Sequence, residues 1–312
     1  MSVLALSGHI PEHIGDIVRF TIYSGERNIS SFCGYASDYI SQVLHDDSVN
    51  AAVYPRSCDS CRVITSYLEN SGKKIYQFNI PQGRANIALD YYIECLKKYS
   101  KWYYDSDSGI DEVVRKRIEL INSRNTEIQR LYQNLDSISF GDYLDRIHNE
   151  LKKPLDKQCV GNIDNFTSGG KRVYVFGSLL ANTAIAHLIE DCGMKVVADN
   201  LPESHRLAFA EPISVTGDIY ENIAQSMLRK RLSPTENDFA GIFSSCIEKI
   251  KSKNVKGVVF VLQKYCEPYE FAYSALAKRL EDVGIPYMKI SCLNSEDIGK
   301  AKLQLEAFSD IL

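Results

Sequence analysis

No stretch of this 312-residue chain is apolar for long enough to read as a membrane span. The longest apolar stretch, Val173 to Ile189, is interrupted by Asn182, Thr183 and His187, whereas a spanning helix needs roughly 20 predominantly apolar residues. The opening MSVLALSGHIPEHIGD has a short apolar run without a basic leader, so neither secretion nor membrane insertion is expected and a cytoplasmic location is. Charge of one sign is lacking too. Lys and Arg number 36 against 40 Asp and Glu, for a net charge of -4, and neither half carries a basic stripe able to neutralise phosphates, which argues against a nucleic-acid partner. No long segment is depleted of hydrophobic residues, so the chain is expected to fold throughout. Its length suits two ordinary domains of roughly 100 to 200 residues each.

Cysteine, by contrast, is plentiful: nine residues, at positions 33, 58, 61, 95, 159, 192, 246, 266 and 292. Cytosolic thiols stay reduced, so a disulfide framework is not the first reading. Most are expected to be inert. Cys95 in IALDYYIECLKKY and Cys246 in FAGIFSSCIEKI sit in helical patterns as small apolar residues usually do. Cys33, Cys58, Cys61 and Cys266 stand apart.

Short β-rich runs alternate with longer amphipathic ones. AAVYP (51–55), KIYQFNIP (74–81), RVYVFGS (172–178), KVVAD (195–199), GVVFVLQ (257–263) and PYMKIS (286–291) read as buried strands. Asp59 to Asn70, Leu179 to Asp191, Glu236 to Lys251, Pro268 to Val283 and Ser295 to Leu312 carry the i, i+3, i+4 spacing of helices packed on one face. Such alternation predicts an α/β fold with parallel sheets. From about Ala85 to Lys153 the pattern is helical, tyrosine-rich and charged, and FTSGGK (166–171) reads as a loop into the next strand. The expected organisation is an N-terminal α/β half (1–84), a helical segment (85–165) and a C-terminal α/β half (166–312).

Residues 51–81 and 257–291 share an order of parts: strand, basic residue, cysteine, helix, glycine turn, strand. Cys58 and Cys266 occupy the same place in the two units. Each is predicted at the carboxyl end of a parallel strand, where open α/β sheets build their ligand crevices, so two facing halves would bring the thiols together. Both also precede a helix, whose N-terminal N–H groups and dipole favour the thiolate that ligates iron. Cys33, in ISSFCGYASDYISQVL, meets the same description, with Ser30 or Ser31 expected to cap a helix from Tyr35 to Leu44. The alternatives at this point are a C-x-x-C redox pair in CDSC (58–61), half of a zinc site that no second C-x-x-C completes, and buried structural thiols.

CDSCR (58–62), KYCEPY (264–269) and GKAKLQLEAF (299–308) resemble, in order, the CD-x-x-R, K-F-C-D-P-H and G-Q-x-x-T-R-x-E-A-F segments of the 2-hydroxyacyl-CoA dehydratase and benzoyl-CoA reductase family. GHIPEHIGDIVRFTIYSGE (8–26) is similar to that family's opening segment, and residues 169–200 to the passage that starts its second half. The resemblance covers nearly the whole chain. It implies two flavodoxin-like halves with helices between, and one [4Fe-4S] cluster held by three cysteines, with Cys33, Cys58 and Cys266 in the ligand positions. One iron would stay open to substrate, as a Lewis acid toward a carbonyl or hydroxyl oxygen. It also implies an acyl-CoA substrate, a homologous or identical second subunit, and an ATP-dependent iron-sulfur activator that delivers one electron to make a ketyl radical. The sequence departs from the pattern at Gly34 (for proline), at Glu267-Pro268-Tyr269 (for Asp-Pro-His) and at Asp16 to Ile22, where a glycine turn is expected.

His9 and Glu12 in GHIPEHI fall where the family's substrate-facing loop would lie and are weighed as acid and base against ordinary strand and helix ends. His187 reads as a satisfied core histidine. FTSGGK lacks the P-loop spacing and precedes a strand, so ATP is not expected to bind this chain. The reading is a radical dehydratase or reductase component. A non-catalytic relay or structural partner subunit, and an iron-free α/β protein with a C-x-x-C redox pair, are the alternatives.

Overall fold

The computed structural model describes all residues except 1–2, 6–11, 15–16, 21–31, 82–85, 106–109, 165–168, 181–182, 230–232, 237–238 and 293–294. In chain order the regular elements are β1 (Val3–Ala5), β2 (Ile17–Phe20), α1 (Gly34–His45), β3 (Ala51–Pro55), α2 (Asp59–Leu68), β4 (Lys74–Phe78), α3 (Asn86–Tyr104), α4 (Ile110–Gln133) and α5 (Phe140–Leu151). They continue with β5 (Lys171–Gly177), α6 (Ala184–Asp191), β6 (Met194–Asp199), α7 (His205–Ala208), α8 (Ile219–Arg229), α9 (Phe239–Ser252), β7 (Gly257–Gln263), α10 (Glu267–Asp282), β8 (Tyr287–Cys292) and α11 (Ser295–Ile311).

Two four-stranded parallel sheets result, β2-β1-β3-β4 and β6-β5-β7-β8. Numbered within each half, both run 2-1-3-4, the doubly wound α/β arrangement. The predicted strands 51–55 and 257–263 coincide with β3 and β7, and the other four differ at an end by up to three residues. The strands at Val3–Ala5 and Ile17–Phe20 and the helix at Ile219–Arg229 are additions to the sequence reading. Among the described residues, no helix is long and apolar enough to cross a membrane.

The apolar strand runs are buried on both faces, as parallel sheets require. Along β5, Val173 and Val175 enter the core under α5, α6 and α11, while Tyr174 and Phe176 enter the one under α9 and α10. Along β7, Val259 and Val261 join the first of these cores, and Val258, Phe260 and Leu262 the second. In β3, Ala52 and Tyr54 pack with α1 and α2, and Ala51 and Val53 pack with α3, α4 and α8. Each sheet is thus a filled layer between helices, and its free edge of chemistry is the carboxyl end of its strands.

That edge is drawn tight in the second sheet. Gly177, the last residue of β5, pairs with Val261 of β7. A methyl group on it would run into the Val261 carbonyl oxygen and touch Leu201. Close approach of two backbones, rather than a turn, demands glycine here. Next in the chain, Ser178 accepts a hydrogen bond through Oγ from the backbone N–H of Gln263 at 3.1 Å, which ties the ends of β5 and β7 together. Gly177→Ala is expected to lower stability by about 1–3 kcal/mol through overpacking, measured as a lower urea midpoint with an unchanged denaturant slope.

Candidate metal centre

Three cysteines each occupy the N-cap position of a helix: Cys33 on α1, Cys58 on α2 and Cys266 on α10. The first differs from the sequence reading, which assigns the cap to Ser30 or Ser31, residues outside those described. Cys33 takes that role itself, its Sγ accepting from the Ala36 N–H at 3.4 Å. Sulfur accepts weakly, so this cap leaves the thiol available to a stronger acceptor of its electrons. Cys58 and Cys266 make no side-chain cap bond.

Local sequence sets each thiol in place. Pro55 ends β3, and residues 56–58 carry the chain from the strand into α2. At the second site β7 ends at Gln263 and Tyr265 turns into the left-handed region at φ 63°. For a bulky aromatic residue that conformation is a strained outlier of the kind that clusters at functional sites. Its effect is a sharp turn that delivers Cys266 to the N-terminus of α10, with Pro268 in the first turn where its missing N–H costs nothing.

Cys33, Cys58 and Cys266 line a single cavity of about 110 Å³, together with Cys61 from the first turn of α2. The first sheet contributes Pro55 from the end of β3 and Ser57 from just beyond it, and the second contributes Ser178 from just past β5 and Gln263 from the end of β7. In the second half, β5 and β7 are the neighbouring strands whose connections leave in opposite directions, the switch point where α/β proteins bind ligands. Arg206 and Tyr269 close one side. Among the lining residues no carboxylate or imidazole appears, and Arg206 carries the one formal charge.

The thiols differ sharply in acidity. Burial pushes Cys33 up to about 11, partly opposed by the Ala36 N–H and reinforced by the charge of Cys58. Burial likewise carries Cys266 well above the usual thiol range, with Cys33 and Cys58 adding to the effect. Cys58 goes the other way, to about 7, chiefly because it accepts a hydrogen bond from Cys61, against the cost of burial. Cys61, as donor of that bond and buried besides, is raised well above its ordinary value. Two part-buried thiols that hold their protons, and a third that ionises near neutral pH beside a fourth, form a soft donor set with no carboxylate or imidazole to compete. Such a set fits an iron-sulfur cluster.

Residues 19–312 match the family described as 2-hydroxyglutaryl-CoA dehydratase, D-component. The chain belongs to that D-component family. It is 23% identical over 145 residues to the (R)-phenyllactyl-CoA dehydratase beta subunit of Clostridium sporogenes, covering 46% of this chain and 38% of that subunit. With subunit beta of (R)-2-hydroxyglutaryl-CoA dehydratase from Acidaminococcus fermentans, identity is 26% over 168 residues, or 52% and 43% of the two chains. A benzoyl-CoA reductase subunit from Thauera aromatica aligns over 290 residues, 85% of this chain and 74% of that one, at 21% identity. The chain thus spans less than half the length of the two dehydratase subunits.

Other candidates in this D-component family member lie elsewhere. His9 falls outside the described residues. Glu12 is not among the cavity-lining residues; its two carboxylate oxygens accept from Arg124 at 2.6 and 2.9 Å, an ion pair with a buried guanidinium. His187 is half-exposed on α6 instead of buried in the core, with Nε2 2.8 Å from Asp145. Together with Asp142 they form another grouping of possible metal ligands among the described residues, but Asp145 is already engaged by Thr183 and His187. Cys95 and Cys246 are buried in the helical cores, as expected.

Ser178, Gln263 and Arg206 are not among the residues that the sequence singles out. The first two carry a signal: each is the polar residue closing an apolar strand run, where a crevice begins. Arg206 carries none, since residues 200–218 show no helix or strand periodicity. Its loop is held by Asp199, whose Oδ1 accepts from the N–H groups of Leu201 (2.7 Å) and His205 (3.3 Å) and whose Oδ2 accepts from Ser204 Oγ at 2.7 Å.

In metal-free protein, alkylation by iodoacetamide followed by mass spectrometry is expected to modify Cys58 with a midpoint near pH 7, well ahead of Cys33, whose thiol ionises only near 11. Cys61→Ala, which removes the donor, should move the Cys58 midpoint upward. Equal reactivity of Cys33 and Cys58 at pH 8 would contradict this assignment.

Proposed function

We propose that this chain is the iron-sulfur subunit of a radical 2-hydroxyacyl-CoA dehydratase-like or acyl-CoA reductase-like enzyme, with Cys33, Cys58 and Cys266 as ligands of one [4Fe-4S] cluster. The observation that carries the reading is the convergence of these three helix-capping thiols on one cavity at the carboxyl ends of both sheets. Family membership supports it.

When bound, the cluster would supply a Lewis-acidic iron open to a substrate oxygen. The chain's own groups do the rest. The N–H groups of three helix N-termini would stabilise the negative charge of the thiolates. Cys61 holds a hydrogen bond to Cys58 and so sets its electron richness, an outer contact of the sort that tunes metal sites. An acyl-CoA substrate, a second homologous or identical subunit and an ATP-dependent activator follow from the same reading. A relay or structural role for this chain beside a catalytic partner is the second reading.

Anaerobic purification tests the proposal. A brown protein with about four irons per chain is expected, with the iron lost in Cys33→Ser, Cys58→Ser and Cys266→Ser and retained in Cys61→Ser. A colourless protein, or one that holds zinc in place of iron, would overturn it.

A further inference from the structure

Four thiols line the cavity, and the proposed cluster draws on three of them. Cys61 is left over, and its placement is specific. Cys58 caps α2 and Cys61 is the third residue of that helix, the position that the side chain of a capping residue reaches. The Cys61 thiol donates a hydrogen bond to the Cys58 sulfur, and Ser57 Oγ donates to Cys61 Sγ at 3.7 Å. Cys33 and Cys266 sit on other helices, α1 and α10, so joining either to Cys58 would draw two separate elements together. Cys58 and Cys61 share one turn of one helix. They are also unequally placed: Cys58 is partly exposed, whereas Cys61 is buried, 6% exposed. An outer thiol at a helix start with a buried thiol against it is the arrangement in which the first attacks and the second resolves.

With a small disulfide such as glutathione disulfide as oxidant, the Cys58 thiolate attacks one glutathione sulfur, a mixed disulfide forms and one glutathione leaves as its thiolate. Cys61 then loses its proton to solvent and attacks the Cys58 sulfur, expelling the second glutathione. In sum the two cysteines lose two protons and two electrons, and glutathione disulfide becomes two glutathione thiols. The product closes a loop of only four residues, 58–61, and cross-linking so short a loop constrains the unfolded chain little. Such a bond is of the labile, reducible kind and no structural staple. It also removes the Cys58 thiolate, the form of cysteine that binds metal.

We propose that Cys58 and Cys61 form a reversible disulfide in the metal-free chain and that this bond controls iron loading: oxidised, the site is closed to iron; reduced, it is open. The loading half rests on the function proposed above, whereas the disulfide itself needs no iron. Cys61 thereby acts before the cluster arrives, apart from its hydrogen bond to a loaded ligand.

Trypsin supplies the readout. Cleavage after Arg56 and Arg62 releases residues 57–62, which hold Cys58 and Cys61 and no other cysteine, while Cys33 and Cys266 fall on 28–56 and 265–278. The metal-free full chain is treated anaerobically with glutathione disulfide, its remaining thiols are blocked with iodoacetamide, and the digest is weighed by mass spectrometry. Peptide 57–62 is expected two hydrogens lighter than its reduced form and free of alkylation, with Cys33 and Cys266 alkylated. It should be doubly alkylated when dithiothreitol precedes the blocking step. Reconstitution with iron and sulfide should fail on the oxidised chain and recover after dithiothreitol. Cys61→Ala should stop at the mixed disulfide, recovered as a glutathione adduct on Cys58. A doubly alkylated 57–62 under conditions that oxidise free dithiothreitol, a link from Cys58 to Cys33 or Cys266, or undiminished iron uptake by the oxidised chain would each overturn the proposal. A reduced wild type that takes up no iron would instead sink the cluster reading and the loading switch together, and the peptide mass, which involves no iron, tells that result from the others.

Discussion

Bringing several sulfurs together in a desolvated space is the constraint on which the rest of this molecule depends. Thiolates repel one another and lose hydration on burial, and Cys33 and Cys266 respond by holding their protons. Three helix N-termini aimed at the same volume are the fold's compensation. Aiming them requires two sheets whose carboxyl ends meet, a strained turn at Tyr265 and a crowded strand pair at Gly177. A metal bound by these thiols would displace their protons, which would link occupancy to pH.

The two halves share strand order and the placement of Cys58 and Cys266, but they are not equivalent around the cavity. In each half the connection from the second strand to the third reaches the site. The first half supplies Cys33 at the start of α1, a thiol; the second supplies Arg206 on α7, a cation. A repeated scaffold thereby yields a site with two unlike sides. Symmetric ends would suit a buried structural ion, whereas unlike ends suit an occupant that has direction.

Much of this is legible from residues. The apolar runs of β3 and β7 coincide with the strands because β-branched stretches bounded by turn residues have few other solutions. The repeat places Cys58 and Cys266 at corresponding strand ends. What escapes has physical causes. Val3–Ala5 is too short for periodicity to register. A serine is the expected cap of α1 because cysteine is an unusual capping residue, and only the backbone reveals that the Cys33 thiol itself stands at the helix end. Arg206 reaches the site through a loop whose shape is fixed by hydrogen bonds to Asp199, a tertiary arrangement with no local signature.

The core beneath the first sheet is not made by the first half alone. Ala51, Val53 and Phe78 pack with Tyr92, Leu96 and Val114 of the intervening helices, and also with Ile219, Ile223 and Ala224 of α8, which lies beyond β6 of the second sheet. The core that backs the N-terminal sheet is thus completed by a helix that follows the first two strands of the second sheet. A cut between the two halves would therefore leave part of the first half's core on the other piece.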